Sequence, residues 1–404
     1  MSTTPTVAYL DHAATTPMVA EVVAVLTDQL SRAGNPSSLH GSGRAARRVV
    51  EESRESIAKS LGARPSDVVF TSGGTEADNL AVHGIFAARR DADPRRTRIL
   101  TPAIEHHAVL DTVEWLATHA GAKVDYVAVD AAGRLDLDDL RRRLDADPDD
   151  VALVTCMWAN NEVGTAQPIA EIVAAAHAHG IPVHSDAVQA VGHLPVDFEA
   201  AGLDAMTVTA HKLGGPVGVG ALLVRREIEV APLLHGGGQE RQIRSGTLAT
   251  AAIAAFAAAV DLAVRRQPDQ ARRLENLRAD LVRRTQAAVP EIVVNGDPKP
   301  GPEHRLPGIA HLSFPGCEGD SLLMLLDAQG VECSTGSACT AGVPEASHVL
   351  LAMGQDDVTA RGSLRFSLGH SSTAADVDAL IEALPGAYER ARAAGLTGVG
   401  GRNA

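Results

Sequence analysis

Between residues 64 and 225, short β-branched runs alternate with longer stretches whose apolar positions recur at helical spacing. The pattern predicts a strand over 67–71 and a helix over 75–89, then a strand over 98–101 and a helix over 107–119. Further strands are predicted at 123–129, 151–157, 181–185, 205–209 and 220–224. Residues 168–179 read as a helix ended by Gly180, because a glycine just past the last periodic position takes the left-handed cap without Cβ strain. Alternation of this kind predicts an α/β fold with a mostly parallel sheet covered by helices on both faces. Ligands of such sheets bind at the carboxyl ends of the strands.

On either side of this stretch the pattern changes. Helices are expected at 17–30 and 44–61, around a polar loop at 34–40. A long helical run from Ala249 to about residue 287 carries Gln267-Pro268, where a break is expected. Beyond residue 289, strands at 309–314 and 363–368 and helices at 319–329 and 374–393 form a smaller α+β unit, with a frayed tail over 395–404. The expected division is a large domain over 16–262 and a small one built from 1–15 and 263–404.

Composition narrows the class. Hydrophobic content of 45% with 21% charged residues is that of a globular protein, and only 3% aromatics means a core of Ala, Val, Leu and Ile. A formal charge of −14 argues against a nucleic-acid groove or an anionic membrane surface as partner. No apolar run approaches the length of a membrane span and no basic segment leads into an apolar one near Met1, so a cytoplasmic protein is expected. Cys156, Cys317, Cys333 and Cys339 are too few for a disulfide framework.

Several residues could carry chemistry. Lys212, one of few lysines in the chain, follows a predicted strand end and precedes Gly214-Gly215. A partly desolvated amine there suits a Schiff base with an aldehyde cofactor. Thr71-Ser72-Gly73-Gly74-Thr75-Glu76 joins a strand to a helix, either as a plain turn or as a seat for one phosphate at the positive helix end. It carries neither a dinucleotide fingerprint nor a P-loop lysine. Asp186, at another strand end, needs a cationic or hydrogen-bonding partner, which a pyridinium N–H would supply; a helix N-cap is the alternative. Gln189 could then bond the cofactor's phenolic oxygen. His106 could stack on an aromatic ring and move protons, whereas the histidine spacing does not make a metal site. Arg365, in an apolar strand, needs either an internal carboxylate or a substrate carboxylate. Cys339 lies among small residues on an expected loop, where an exposed thiol is reactive.

Taken together these segments resemble the cysteine desulfurases of the pyridoxal-phosphate-dependent aminotransferase class V family, in the branch that serves iron–sulfur cluster assembly. The resemblance runs in order through residues 9–17, 35–38, 70–79, 105–109, 160–165, 184–189, 211–212, 236–240 and 244–247. It ends with Gly336-Ser337-Ala338-Cys339-Thr340, a motif of one branch of the family, and with 365–369. It implies a fold type I enzyme with a seven-stranded sheet, and pyridoxal 5′-phosphate held by Gly74, Thr75, His106, Asp186, Gln189, Thr209, His211 and Lys212. Thr209 stands where the family usually has serine, which keeps the hydroxyl. Thr247 is implied to reach the neighbouring subunit's cofactor phosphate, hence a homodimer. Asn35, Asn160 and Arg365 would place L-cysteine, and Cys339 would take its sulfur as a persulfide and release alanine. The sulfur would pass to acceptor proteins such as an iron–sulfur scaffold or a tRNA-thiolation enzyme. His370 stands where another arginine often follows. The alternative activities are selenocysteine or cysteine-sulfinate lyase, or a class V aminotransferase.

Overall fold

The structure, a computed structural model, describes residues 7–336 and 346–400, with side chains through residue 394. Seven strands form the main sheet in the order Val68–Thr71, Gly220–Val224, Ala205–Thr209, Val183–Asp186, Val151–Thr155, Arg98–Pro102, Lys123–Val127. Along each strand successive side chains enter opposite layers, as the two-residue strand period requires. Val68, Phe70, Met206, Val208 and Leu223 pack into one core with Ile57 and Phe256. Val69, Ala205, Leu222 and Val224 pack into the other with Leu80, Ile85 and Val113. Both faces are therefore covered, as the alternation predicts.

One strand departs from the parallel pattern. Gly220–Val224 runs antiparallel to both its neighbours, while the other pairs are parallel. The reason lies in the connection: only residues 210–219 join it to Ala205–Thr209, which is too short for a parallel crossover.

A second core gathers around an antiparallel sheet of Val293–Asn295, Ile309–Ser313 and Ser363–Ser367. Leu312, Phe314, Leu364, Phe366 and Leu380 fill it. Ala8 and Leu10 join it, because Ala8–Tyr9 pairs with Val331–Glu332. The helix Thr250–Ala288 links the two cores and runs unbroken through Pro268, contrary to the expected break. Ile253, Phe256 and Val260 anchor its first half in the first core, and Leu274 and Leu281 anchor its second half in the other. Packing at both ends thus offsets the one backbone hydrogen bond that proline removes. The last helix is also longer than expected, covering Ala374–Gly400 in place of a frayed tail after residue 394. Among the described residues no helix is long and apolar enough to cross a membrane.

Candidate active site

A polar cavity of about 400 Å³ opens where the carboxyl ends of several strands meet. Its walls hold Gly74 and Thr75 beyond Val68–Thr71, His106 beyond Arg98–Pro102, and Asp186 and Thr209 at the ends of their own strands. Gln189, His211, Lys212 and Arg365 complete the set brought together from the sequence. Gly73 makes the first turn possible: at φ 154° and ψ −176° it occupies a region essentially restricted to glycine. The helix Gly74–Ala92 starts immediately after it, so Gly74 and Thr75 sit at its positive end. A Cβ on Gly74 would lie 3.1 Å from the Val188 side chain.

Lys212 donates from Nζ to the Ala14 carbonyl at 2.6 Å and to the Ala13 carbonyl. Burial, helped by the Arg365 guanidinium and opposed by Asp11 and Asp186, brings its ammonium down to about 8. A substantial share of neutral amine therefore exists near physiological pH, as a Schiff-base lysine needs.

Asp186 is 6% exposed, and its Oδ1 accepts from the Val188 N–H at 2.8 Å. The capping alternative is met in part, since the carboxylate closes a turn rather than a helix. Burial raises its pKa above the usual carboxylate range. A cation against it would restore the ionised form.

His106 caps the helix His107–Ala120, its Nδ1 accepting the Ala108 N–H at 3.1 Å. That bond leaves the proton of the neutral ring on Nε2. Burial first, and Lys212 second, push this ring down to about 4. His211 is likewise brought to about 4 by burial and Lys212, and its Nδ1 lies 3.3 Å from Thr15 Oγ1. Gln189 donates to the Ala13 carbonyl at 2.9 Å, and the Thr209 hydroxyl to the Val219 carbonyl at 3.4 Å.

Arg365 has the internal carboxylate that one reading of its sequence asks for. Its Nη2 pairs with Asp11 Oδ1 at 2.8 Å and its Nη1 donates to the Asn161 carbonyl at 3.0 Å, and its buried Nε has no hydrogen-bond partner among the described residues. The guanidinium is thus fixed by protein groups at the cavity wall.

The two asparagines of the 160–161 pair separate. Asn160 is fully buried, with Nδ2 donating to the Ile104 carbonyl at 2.9 Å and Oδ1 accepting from the Glu162 and Val163 N–H groups. Its neighbour Asn161 lines the cavity instead. Asn35 and Thr247 are exposed and outside the cavity lining. Asn35 uses its Oδ1 to accept from the Ser37 N–H at 2.9 Å. Cys339 lies outside the described residues, but Ser334 and Gly336, just before it in sequence, line the cavity. The three described cysteines are held as thiols. Burial raises Cys156 well above its ordinary value, Cys317 to about 11 and Cys333 to about 12.

Two buried acids were missed by sequence reasoning. Asp78 lies under the cavity on the inner face of its helix, beside Ala77 and Ala81, and burial raises its pKa well above the usual range, with Asp186 adding to the effect. Glu105 accepts the Met157 N–H at 2.6 Å and is pushed up to about 8 by burial. An acid at an apolar period position was the available signal for Asp78; Glu105 had none.

These groups fit pyridoxal phosphate. The Gly73 turn and helix N-terminus can take the phosphate, and a ring N–H against the Asp186 carboxyl, raised by burial, would favour its ionised form. The Lys212 amine, with its lowered pKa, can hold the aldehyde carbon. Comparisons with known proteins agree. The model of the aminotransferase class-V family matches residues 8–380. An IscS-like cysteine desulfurase of Mycobacterium tuberculosis is 58% identical over 393 residues, covering 97% of this chain and 99% of the relative. The cysteine desulfurase IscS of Dictyoglomus turgidum is 41% identical over 385 residues, 95% of each chain. A solved NifS-like protein superposes with a TM-score of 0.85 at 35% identity, over 94% of this chain and 98% of its own. With the cavity's groups in place and matches of this extent, the chain belongs to the aminotransferase class-V family of pyridoxal-phosphate enzymes, in its cysteine desulfurase branch.

Proposed function

We propose that the cavity residues convert L-cysteine to alanine and pass its sulfur to Cys339. The observation that carries this reading is the shared wall: Lys212, Asp186, His106 and Arg365 line one cavity together with Ser334 and Gly336, which lead toward Cys339 in sequence. When bound, pyridoxal phosphate supplies an electron sink for the substrate Cα. Gly74, Thr75, Thr209 and His211 would hold its phosphate end, and Asp186 would keep its ring nitrogen protonated. Gln189 would bond its phenolic oxygen. Lys212, with its lowered pKa, would hold the cofactor's aldehyde carbon. The neutral His106 ring stacks over the site and moves a proton at Nε2. Arg365 binds the substrate carboxylate. The Cys339 thiolate attacks the substrate sulfur, so that an S–S bond forms as the C–S bond breaks, and alanine leaves with Cβ protonated.

The exposed position of Thr247, away from its own cavity, supports a role at a partner's cofactor phosphate and therefore a homodimer. The two cores support the division into a large domain over 16–262 and a small one from 1–15 and 263–404. The names of the bacterial relatives support the desulfurase step, and the reading extends to a cytoplasmic enzyme that hands persulfide sulfur to an acceptor protein, such as an iron–sulfur scaffold or a tRNA-thiolation enzyme. Cys339→Ser tests the chemistry: it should abolish sulfide release from cysteine under reductant while the cofactor's visible absorption persists. Full activity in that variant would favour a lyase or an aminotransferase, neither of which needs the thiolate.

A further inference from the structure

Glu240–Gln242 holds three consecutive non-glycine residues at positive φ: 45°, 59° and 64°. Side chains resist this region because Cβ crowds the following carbonyl, so such a run persists only where its surroundings enforce it. The fastenings are specific. Glu240, 9% exposed, pairs with Arg54 at 2.6 and 2.8 Å and accepts the Phe70 N–H at 2.8 Å. Arg241 donates to the Ser66 and Val224 carbonyls at 3.0 and 3.3 Å. Just beyond the turn, Arg244 grips Glu76 through Nε at 2.7 Å and Nη2 at 3.2 Å, and Glu76 itself accepts the Ser72 N–H at 2.7 Å.

Phe70 and Glu76 flank residues 71–75 on either side. One end of the left-handed turn is therefore bolted to the strand that enters this segment, and the residue after the turn to the helix that leaves it. Charge adds a second reason. Glu76 stands in the first helical turn, next to Thr75, where its carboxylate would repel a phosphate seated at the helix N-terminus. The Arg244 fork cancels that charge.

We infer that Glu240 and Arg244 are positioning residues that clamp the 71–75 turn and neutralise Glu76, so that the turn can accept the cofactor phosphate. This rests on reading Gly74 and Thr75 as the phosphate seat. The test titrates the cofactor-stripped full chain with pyridoxal 5′-phosphate and with pyridoxal, which lacks the phosphate, following visible absorbance. Arg244→Met should weaken pyridoxal phosphate binding about tenfold and change pyridoxal binding by less than about twofold. Adding Glu76→Gln to Arg244→Met should recover most of the loss, because the uncompensated charge goes with it. Glu240→Gln should act in the same direction as Arg244→Met, and thermal melts of each variant report folding. Equal losses for both ligands, or no loss for either, would overturn the clamp. A wild-type chain that binds pyridoxal as tightly as pyridoxal phosphate would instead remove the phosphate seat on which the clamp depends.

Discussion

Arg365, in the cavity wall, and Asp11, far apart in sequence, form an ion pair at 2.8 Å, and among the described residues the buried guanidinium Nε has no partner. Asp11 therefore orients the guanidinium that the proposed function assigns to the substrate carboxylate. Arg365→Lys keeps the charge but loses the planar fork. It should raise KM for L-cysteine about tenfold or more, with a smaller effect on kcat. Asp11→Asn should produce a weaker change in the same direction. Steady-state kinetics decide the matter, and an unchanged KM in Arg365→Lys would remove Arg365 from substrate binding.

Asn160 and Asn161 are neighbours with different work. Asn160 satisfies one buried carbonyl and two buried N–H groups, so Asn160→Ala leaves all three unpaired. It should destabilise the cofactor-free protein by about 2–4 kcal/mol. Asn161→Ala should cost less than about 0.5 kcal/mol, since its side chain faces the cavity. Urea unfolding of the two variants separates them. Equal stabilities would mean that Asn160 does not hold the 160–165 loop.

The contrast between those two residues shows where sequence reading ends. His106, Asp186 and Lys212 stood out because each follows a β-branched run, and strand ends are where an α/β sheet gathers its ligands, whereas Thr209 was named only through the family resemblance. Which of two adjacent asparagines faces a cavity depends on loop geometry that no periodicity encodes. Glu105 became visible as a buried acid only once the strands were assembled, whereas Asp78 had one signal in the sequence, its place at an apolar helical position. The same holds for the unbroken helix through Pro268: local propensity asks for a kink, but two hydrophobic cores hold the helix on either side. The left-handed run Glu240–Gln242 contains no glycine to announce it, since tertiary fastenings rather than residue type enforce the conformation.

His184 is fully buried between Thr155 and Thr207, with ring nitrogens 2.9 and 3.0 Å from their hydroxyls, and burial pushes it down to about 3. The unfolded chain takes up a proton at this ring near pH 6.5, whereas the folded chain resists until much lower pH. Over that window the unfolded state binds more protons, so stability falls as pH falls. By about pH 4 the loss from this one ring should reach roughly 3 kcal/mol. Urea midpoints of wild type and His184→Asn across the window provide the measurement, and the variant should show the shallower acid slope. Parallel slopes would mean that His184 accepts a proton in the folded state.

Lys212 carries the sharpest pH expectation. Its amine is brought from the ordinary 10.5 to about 8 by burial first and by Arg365 second, with Asp11 and Asp186 acting against them. Only the neutral amine attacks an aldehyde. The rate at which cofactor-stripped protein captures pyridoxal phosphate should therefore rise with pH around a midpoint near 8. Neighbouring charges should move this midpoint in opposite directions. Arg365→Met removes a cation that disfavours the ammonium, so the midpoint should rise; Asp11→Asn removes an anion that favours it, so the midpoint should fall. Stopped-flow absorbance across pH measures all three proteins. A midpoint that stays near the value of free lysine, or that ignores both substitutions, would show that the cavity does not tune the amine.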